Sequence, residues 1–274
     1  MSAPAFQVLR SAAGSPPRAS TAAAAPTLLL AGATGPMGAA VLQRLGGSHR
    51  FAQVQVLARE AMRAGPRRLQ PVLVPPGTPP GEGWPRTVHA DVAVVMFDPP
   101  RLFYQRERSL WTPSPEQLPA LARWLHGVGV RTLAVVQPHT QARLPEALKR
   151  GLASLDEQAV AAVGFERLLL LRSPQAPREA AGGTTLQRLA RWMLGALRYM
   201  VPAQEQPVRA TAVAELLAAA LELAPAGIHI ASPERVWRAA QRDGARAEAL
   251  RWLQAAPATA SEEMTLQPQR QSVI

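Results

Sequence analysis

Several residue types are absent or scarce in this chain of 274 residues, and each absence excludes certain kinds of functional site. The chain contains no cysteine, which excludes disulfides, thiolate catalysis and cysteine-based zinc or iron–sulfur sites. No apolar run reaches the roughly 18 residues that a membrane span needs. Lysine occurs once, at Lys149, and tyrosine twice, at Tyr104 and Tyr199, so few side chains can serve as a phenolic acid or its cationic partner.

Positive charge is abundant, but its distribution argues against nucleic acid as a partner. The net charge of +11 would attract phosphate backbones. The basic residues are nevertheless spread singly, without dense runs or the interleaved aromatic residues that stack on bases. All but one of the 30 are arginine, and alanine and proline are abundant, a bias typical of GC-rich coding sequence. Neither nucleic acid nor a membrane is expected as a partner.

The first acidic residue is Glu60, and the first 26 residues are rich in alanine, serine and proline. Organelle transit peptides and disordered bacterial leaders share this composition, and no apolar core long enough for a secretory signal is present. We expect residues 1–26 to form a disordered leader on a cytoplasmic protein. At the other end, residues 242–274 are predicted to be a helical extension followed by a disordered tail.

Residues 27–38 carry the strongest functional pattern. Leu28 to Ala31 are apolar without interruption, as expected of a parallel strand that is covered on both faces. Gly32 would then allow a tight turn, Gly35 would let backbone N–H groups approach a phosphate, and Gly38 would let a helix pack closely on the strand. The amides and the helix N-terminus would bind an anion. Because the spacing is not the usual Gly-x-Gly-x-x-Gly, a purely structural turn is the alternative.

Apolar strands alternate with helical segments along the rest of the chain. Further strands are predicted at 54–57, 70–74, 91–97, 130–136, 167–172 and 227–230. This spacing predicts an α/β fold, a doubly wound parallel sheet over residues 27–241, with ligands beyond the carboxyl ends of the strands. The alternation weakens at about 173–206, which we interpret as a small C-terminal cap region with a helix at 185–200. The proline-glycine loop 75–86 is predicted to be exposed.

The order of these motifs resembles the atypical short-chain dehydrogenases/reductases, NAD(P)H-binding proteins of the Rossmann fold related to the Tat-interactive reductase-like protein and to NmrA-like proteins. The resemblance rests on Gly32-Ala33-Thr34-Gly35-Pro36-Met37-Gly38, Val56-Leu57-Ala58-Arg59, Asp91-Val92, Gly129-Val130-Arg131 and Phe165-Glu166-Arg167. It implies a nicotinamide dinucleotide whose pyrophosphate lies on Gly32, Thr34, Gly35, Pro36, Met37 and Gly38. Arg59 would lie near the adenosine ribose, where a guanidinium favours the 2′-phosphate of NADP. The adjacent Glu60 keeps NAD possible.

The catalytic residues usual in this family are not found. Active members generally pair a tyrosine with a lysine four residues later and place a serine after the fifth strand. Neither Tyr104 nor Tyr199 is followed by such a lysine, and Gln137-Pro138-His139-Thr140 stands where the serine is expected. His139 could transfer a proton near neutral pH, and Tyr104 is expected near the nicotinamide. The histidines show no metal-ligand spacing.

Two functions therefore stay open at the level of sequence. The first is an atypical NADP-dependent oxidoreductase that uses His139 or Tyr104 as a substitute proton donor. The second is a catalytically silent NADP(H)-sensing or scaffold protein. In either case the nicotinamide dinucleotide is one partner, and an unknown small molecule or protein is the other.

Overall fold

Seven parallel strands form one sheet in the computed structural model, which describes residues 25–61, 69–101, 104–139, 154–174, 208–241 and 244–254. The strands are β1 Thr27–Ala31, β2 Gln53–Ala58, β3 Leu69–Leu73, β4 Val92–Met96, β5 Thr132–His139, β6 Arg167–Pro174 and β7 Gly227–Ala231. Their order across the sheet is β3-β2-β1-β4-β5-β6-β7. The predicted doubly wound α/β fold is confirmed.

Helices cover both faces of this sheet. They are α1 Gly35–Gly46, α2 Gln105–Arg108, α3 Leu118–Gly127, α4 Leu155–Ala161, α5 Ala210–Leu223, α6 Pro233–Ala239 and α7 Gly244–Gln254, with a 3-10 turn at Pro115–Gln117 before α3. One face packs against α1 and α5 to α7, and the other against α3 and α4. Proline near the start of α1, α3 and α6 suits positions where no intrahelical N–H bond is needed.

The central strand β1 shows why its sequence is apolar without interruption. Leu28, Leu29 and Leu30 are all fully buried. Leu28 and Leu30 belong to the hydrophobic cluster beneath α1, whereas Leu29 belongs to the cluster beneath α3. Successive side chains point to opposite faces, and both faces are covered, so these three central positions of the strand are all apolar.

The loop 75–86 is exposed over much of its length, as predicted, but it contains a buried tryptophan that the prediction missed. Trp84 within it is only 3% exposed and packs edge-on against Trp111 and Trp124, with ring centroids 5.0 and 4.9 Å apart. A tryptophan buries a large apolar area, so its packing stabilises the position of even a loop rich in proline and glycine against the face of the sheet.

Other predictions concern the ends of the chain and the cap. The predicted helical extension is present as α7, in which Ala249 and Trp252 are buried in the same cluster as α5. Residues 173–174 continue β6, and the rest of the predicted cap, with the helix at 185–200, lies outside the described residues. Of the predicted leader, the structure describes only residues 25–26. The predicted tail, which follows residue 254, lies outside the described residues. In the part of the chain that the structure describes, no helix combines the length and apolarity needed to cross a membrane.

Candidate functional site

The glycine motif lies where the strand order reverses. From β1 the chain proceeds to β2 and β3 on one side, and then to β4 and the later strands on the other. Connections that diverge in this way leave a crevice beyond the carboxyl ends of the two central strands, which is where α/β sheets bind their ligands. Residues 32–38 leave β1 at this point and begin α1, so they border the crevice.

Each glycine of the motif is closely surrounded by protein. A Cβ atom on Gly38 would lie 2.4 Å from the carbonyl carbon of Ala33, which is the close helix–strand packing expected from the sequence. A Cβ atom on Gly35, whose φ is +66°, would lie 2.7 Å from Cβ of Asp98 and 2.9 Å from the carbonyl oxygen of Pro99. The space beside Gly35 therefore holds the loop after β4.

The backbone N–H groups at the start of α1 all donate to oxygen atoms of the chain. Gly35 donates to Oε2 of Glu107 and Met37 to Oδ2 of Asp98, each at 3.0 Å. Gly38 donates to the carbonyl oxygen of Thr34 at 3.1 Å, and Pro36 has no N–H group. Two of the three acceptors are carboxylates, the groups that the partial positive charge of a helix N-terminus attracts.

Glu107 is held in place by several donors besides Gly35. Its side chain is 9% exposed, and its Oε2 accepts the backbone N–H of Arg101 at 2.8 Å. The Arg101 guanidinium donates to Oε1 through Nε at 2.8 Å and also through Nη2. Burial alone would raise the pKa of Glu107, but the hydrogen bonds from Arg101 and Gly35 outweigh burial, so this pKa lies below its ordinary value. The carboxyl group is therefore ionised at neutral pH.

Residues 104–112, which we call the strap, cross the carboxyl ends of β1 and β2. The backbone N–H of Arg59 donates to the carbonyl of Ser109 at 2.7 Å, and that of Trp111 to the carbonyl of Leu57 at 2.9 Å. Gly32 donates to the carbonyl of Trp111 at 3.1 Å. The strap thus lies over the end of the sheet where a dinucleotide-binding fold would receive the adenosine half of its cofactor.

Thr34 joins the glycine motif to both neighbouring segments. Its side chain is fully buried, and its hydroxyl donates to the carbonyl of Asp98. The same hydroxyl lies 3.0 Å from that of Thr112 at the end of the strap. The sequence identified Thr34 only as a member of the motif, because both contacts are with residues more than 60 positions away.

The structure separates the two catalytic candidates. His139 is the last residue of β5, where its backbone is in register with Pro174. Tyr104 is 52% exposed, with the Arg101 guanidinium carbon 3.8 Å from its ring centroid. It borders a 540 Å³ groove with Leu42, Val54 and Leu69, on the half of the sheet formed by β2 and β3. Since β2 and β5 are three strand spacings apart, about 14 Å, Tyr104 and the end of β5 lie at different parts of the carboxyl edge.

The remaining predicted cofactor residues lie along the same edge. Arg59 is exposed and follows β2 directly, next to the strap. Pro36 is exposed at the start of α1, whereas Met37 is 4% exposed beneath it. Lys149 and Tyr199 lie outside the described residues, so within the described part no tyrosine–lysine pair is formed.

The β6 end of the edge contains a buried ion pair. Arg172 in β6 and Glu157 in α4 each have side chains that are 3% exposed, and Nη2 of Arg172 lies 2.8 Å from Oε2 of Glu157. Nε of Arg172 also donates to Oε1 at 3.3 Å. Ser154 caps α4 by accepting the N–H of Glu157 at 3.2 Å. The Ser-x-x-Glu spacing could have predicted this helix start.

No family model matches the chain, and no curated protein matches it in sequence. Solved structures match it at low identity. WbmH from Bordetella bronchiseptica in complex with NAD+ is 13% identical, over 78% of this chain and 80% of that one, with a TM-score of 0.43. UDP-N-acetylglucosamine 4-epimerase from Bacillus cereus is 12% identical, over 78% and 81%, with a TM-score of 0.42. A Rossmann-fold NAD(P)-binding family protein from Shigella flexneri is 16% identical, over 57% and 71%, with a TM-score of 0.37.

Proposed function

We propose that the chain binds a nicotinamide dinucleotide in the crevice between β1 and β4, and NADP(H) in preference to NAD(H). The observation that carries this proposal is the N-terminus of α1, where the N–H groups of Gly35 and Met37 donate to two carboxylates. N–H groups that bind carboxylate oxygens at a helix N-terminus are equally suited to phosphate oxygens. The crevice is also at the reversal of strand order, the usual ligand position in this fold.

The chain's own residues have distinct roles in this proposal. Gly32, Thr34, Gly35, Pro36, Met37 and Gly38 form the turn and the first helical residues that face the pyrophosphate. Arg59 follows β2, so its guanidinium is available to pair with a 2′-phosphate on the adenosine ribose. When bound, the nicotinamide supplies a hydride donor or acceptor. Its half of the cofactor would extend towards the ends of β4 to β6, where His139 ends β5.

The coenzyme preference is tested by Arg59→Ala. The variant is expected to weaken NADPH binding about tenfold and to leave NADH binding unchanged, because only NADPH carries the 2′-phosphate that a guanidinium binds. Isothermal titration with both coenzymes measures this difference. Arg131→Ala is the matched control, since Arg131 is exposed just before β5 at the amino edge and its loss changes the net charge equally. Equal weakening of NADPH by both variants, or of NADH by Arg59→Ala, would contradict this role.

Catalysis is tested separately from binding. We infer that an atypical reductase would use a proton donor on the β5 side, so NADPH oxidation with a panel of aldehydes, ketones and quinones should fall at least tenfold in His139→Ala. Tyr104→Phe should retain its activity, because Tyr104 lies on the β2–β3 half. Saturable coenzyme binding without turnover would instead support the silent sensor or scaffold. Turnover that is abolished by Tyr104→Phe and preserved in His139→Ala would contradict the assignment of the proton donor.

A further inference from the structure

We propose that Glu107 is an internal competitor of the cofactor pyrophosphate, and that the strap is a gate that must leave Gly35 before the dinucleotide can bind. This inference rests on the proposed function, because it concerns the regulation of the same site. In the closed arrangement, a carboxylate oxygen of Glu107 lies 3.0 Å from the amide nitrogen of Gly35. A phosphate oxygen cannot use that N–H group at the same time.

The N–H groups at the start of α1 already have acceptors within the chain when no cofactor is bound. Glu107 and Asp98 together accept the N–H groups of Gly35 and Met37, and Gly38 donates to Thr34. The usual requirement of a helix N-terminus for external acceptors is therefore fulfilled from within the chain. A phosphate can accept these N–H groups only by displacing the carboxylates that already accept them. The apparent cofactor affinity is therefore the intrinsic affinity multiplied by the fraction of molecules in which the strap is open.

The backbone attachments of the strap are confined to the ends of β1 and β2. Four backbone hydrogen bonds tie Ser109 and Trp111 to Gly32, Leu57, Arg59 and Glu60, at the ends of two strands. Leu110 and Trp111 are also buried, and Trp111 packs edge-on against Trp84. Ala58 and Leu110 form a single antiparallel bridge. At its other end, Glu107 is tied to Arg101, which is 38% exposed and whose guanidinium also lies over the ring of Tyr104. Opening therefore requires these hydrogen bonds to break and Leu110 and Trp111 to leave the core, whereas the strand pairs of the sheet can stay intact.

The closed state does not require a low or high pH. Hydrogen bonds from Arg101 and Gly35 keep the pKa of Glu107 below its ordinary range in spite of burial, so the competing negative charge is present at neutral pH. The groups that face it are the Arg101 side chain and the backbone amides of Arg101 and Gly35. Ligand binding, rather than protonation, therefore opens the gate near neutral pH.

The first test compares Glu107→Ala with Glu82→Ala by isothermal titration with NADPH. Glu82 is exposed in the loop 75–86, so both variants raise the net charge by one, but only Glu107→Ala removes the competitor. We expect Glu107→Ala to bind NADPH at least about tenfold more tightly than the unmodified chain does. Glu82→Ala should change the NADPH affinity by less than about twofold. Amide hydrogen exchange of the unliganded protein should show faster exchange at Gly35 in Glu107→Ala only, because that amide loses its acceptor.

The second test locks the strap covalently. Because the chain has no cysteine, Ala58→Cys with Leu110→Cys introduces one possible disulfide, at a bridge whose flanking hydrogen bonds mark a non-hydrogen-bonded pair. The Cα atoms of such a pair lie about 4.5 Å apart, within the range that a disulfide spans. The oxidised variant should lose at least tenfold in NADPH affinity, and reduction should restore it.

The outcomes separate this inference from the proposed function. If the unmodified chain and Glu107→Ala bind NADPH equally, or if oxidation of the double-cysteine variant leaves binding unchanged, the gate is wrong and the binding function stands. If neither the unmodified chain, nor Glu107→Ala, nor the reduced double-cysteine variant binds either coenzyme, both proposals are wrong. Binding that is tighter in Glu107→Ala and weaker in the oxidised variant supports both.

Discussion

Gly32→Ala is expected to remove about 4 kcal/mol or more from the free energy of unfolding, a large part of the roughly 5–15 kcal/mol by which domains of ordinary stability are folded. Gly32 has a φ of +76°, which costs an alanine about 1–2 kcal/mol. The steric clash costs more, because the new Cβ atom would lie 1.9 Å from the carbonyl oxygen of Met96. Met96 is in the buried strand β4, and neither it nor β1 can move without breaking strand pairs.

The matched control is Gly77→Ala. Gly77 has the same φ of +76°, but no atom lies within 4 Å of the position where its Cβ would be. Alanine there should cost only the backbone strain of a positive φ, about 1–2 kcal/mol. Urea unfolding followed by circular dichroism measures both variants. If the two glycines gave equal losses, the close approach of β4 to the turn would not determine the identity of residue 32.

This pair of glycines also shows how far the motif could be interpreted from sequence. The turn after β1 and the helix that packs on Gly38 follow from local patterns, namely an uninterrupted apolar run and glycines at fixed spacing. The sequence predicted that Gly35 lacks a side chain to admit a phosphate. In the structure the same absence admits Asp98 and Pro99, so a glycine pattern reveals a close approach but not what approaches.

Glu107 could not be identified in advance. It belongs to α2, a helix of four residues without apolar periodicity, and its partner Gly35 is 72 positions earlier in the chain. In the sequence it is one acidic residue between two arginines, Arg106 and Arg108, as on any exposed helix. The burial of Trp84 could not be predicted for a related reason. It depends on contacts with Trp111 and Trp124, which belong to other segments of the chain.

The two halves of the carboxyl edge are consequently fixed in different ways. On the β1–β2 side the closing contacts are strand-end hydrogen bonds and a carboxylate whose partner Arg101 is partly exposed, an arrangement that can open. On the β6 side the closing contact is the pair of Arg172 and Glu157, both almost completely buried. A charge pair removed from water resists separation, because each member alone would remain desolvated. Among the described residues, the contact at the β6 end is thus the harder of the two to open.

Breaking the pair of Arg172 and Glu157 from one side should therefore be costly. Glu157→Leu or Arg172→Met alone is expected to lower the free energy of unfolding by about 3–5 kcal/mol, since each leaves a buried charge without the group that faces it. The double variant should be more stable than either single variant, because apolar side chains of similar volume need no counter-ion. Urea unfolding of the four proteins gives the coupling energy of the pair.

The exposed pair of Arg246 and Glu222 provides the comparison for this cycle. Its N–O distance is 3.0 Å, close to that of the buried pair, but its side chains are 62% and 50% exposed. Water and salt screen such a pair, so the Arg246→Ala and Glu222→Ala cycle should show little measurable coupling. If instead the buried pair coupled no more strongly than the exposed one, solvent would have to reach the β6 end of the edge. The contrast between the β6 end and the β1–β2 side of the edge would then be lost, because both would be held by contacts that water can replace.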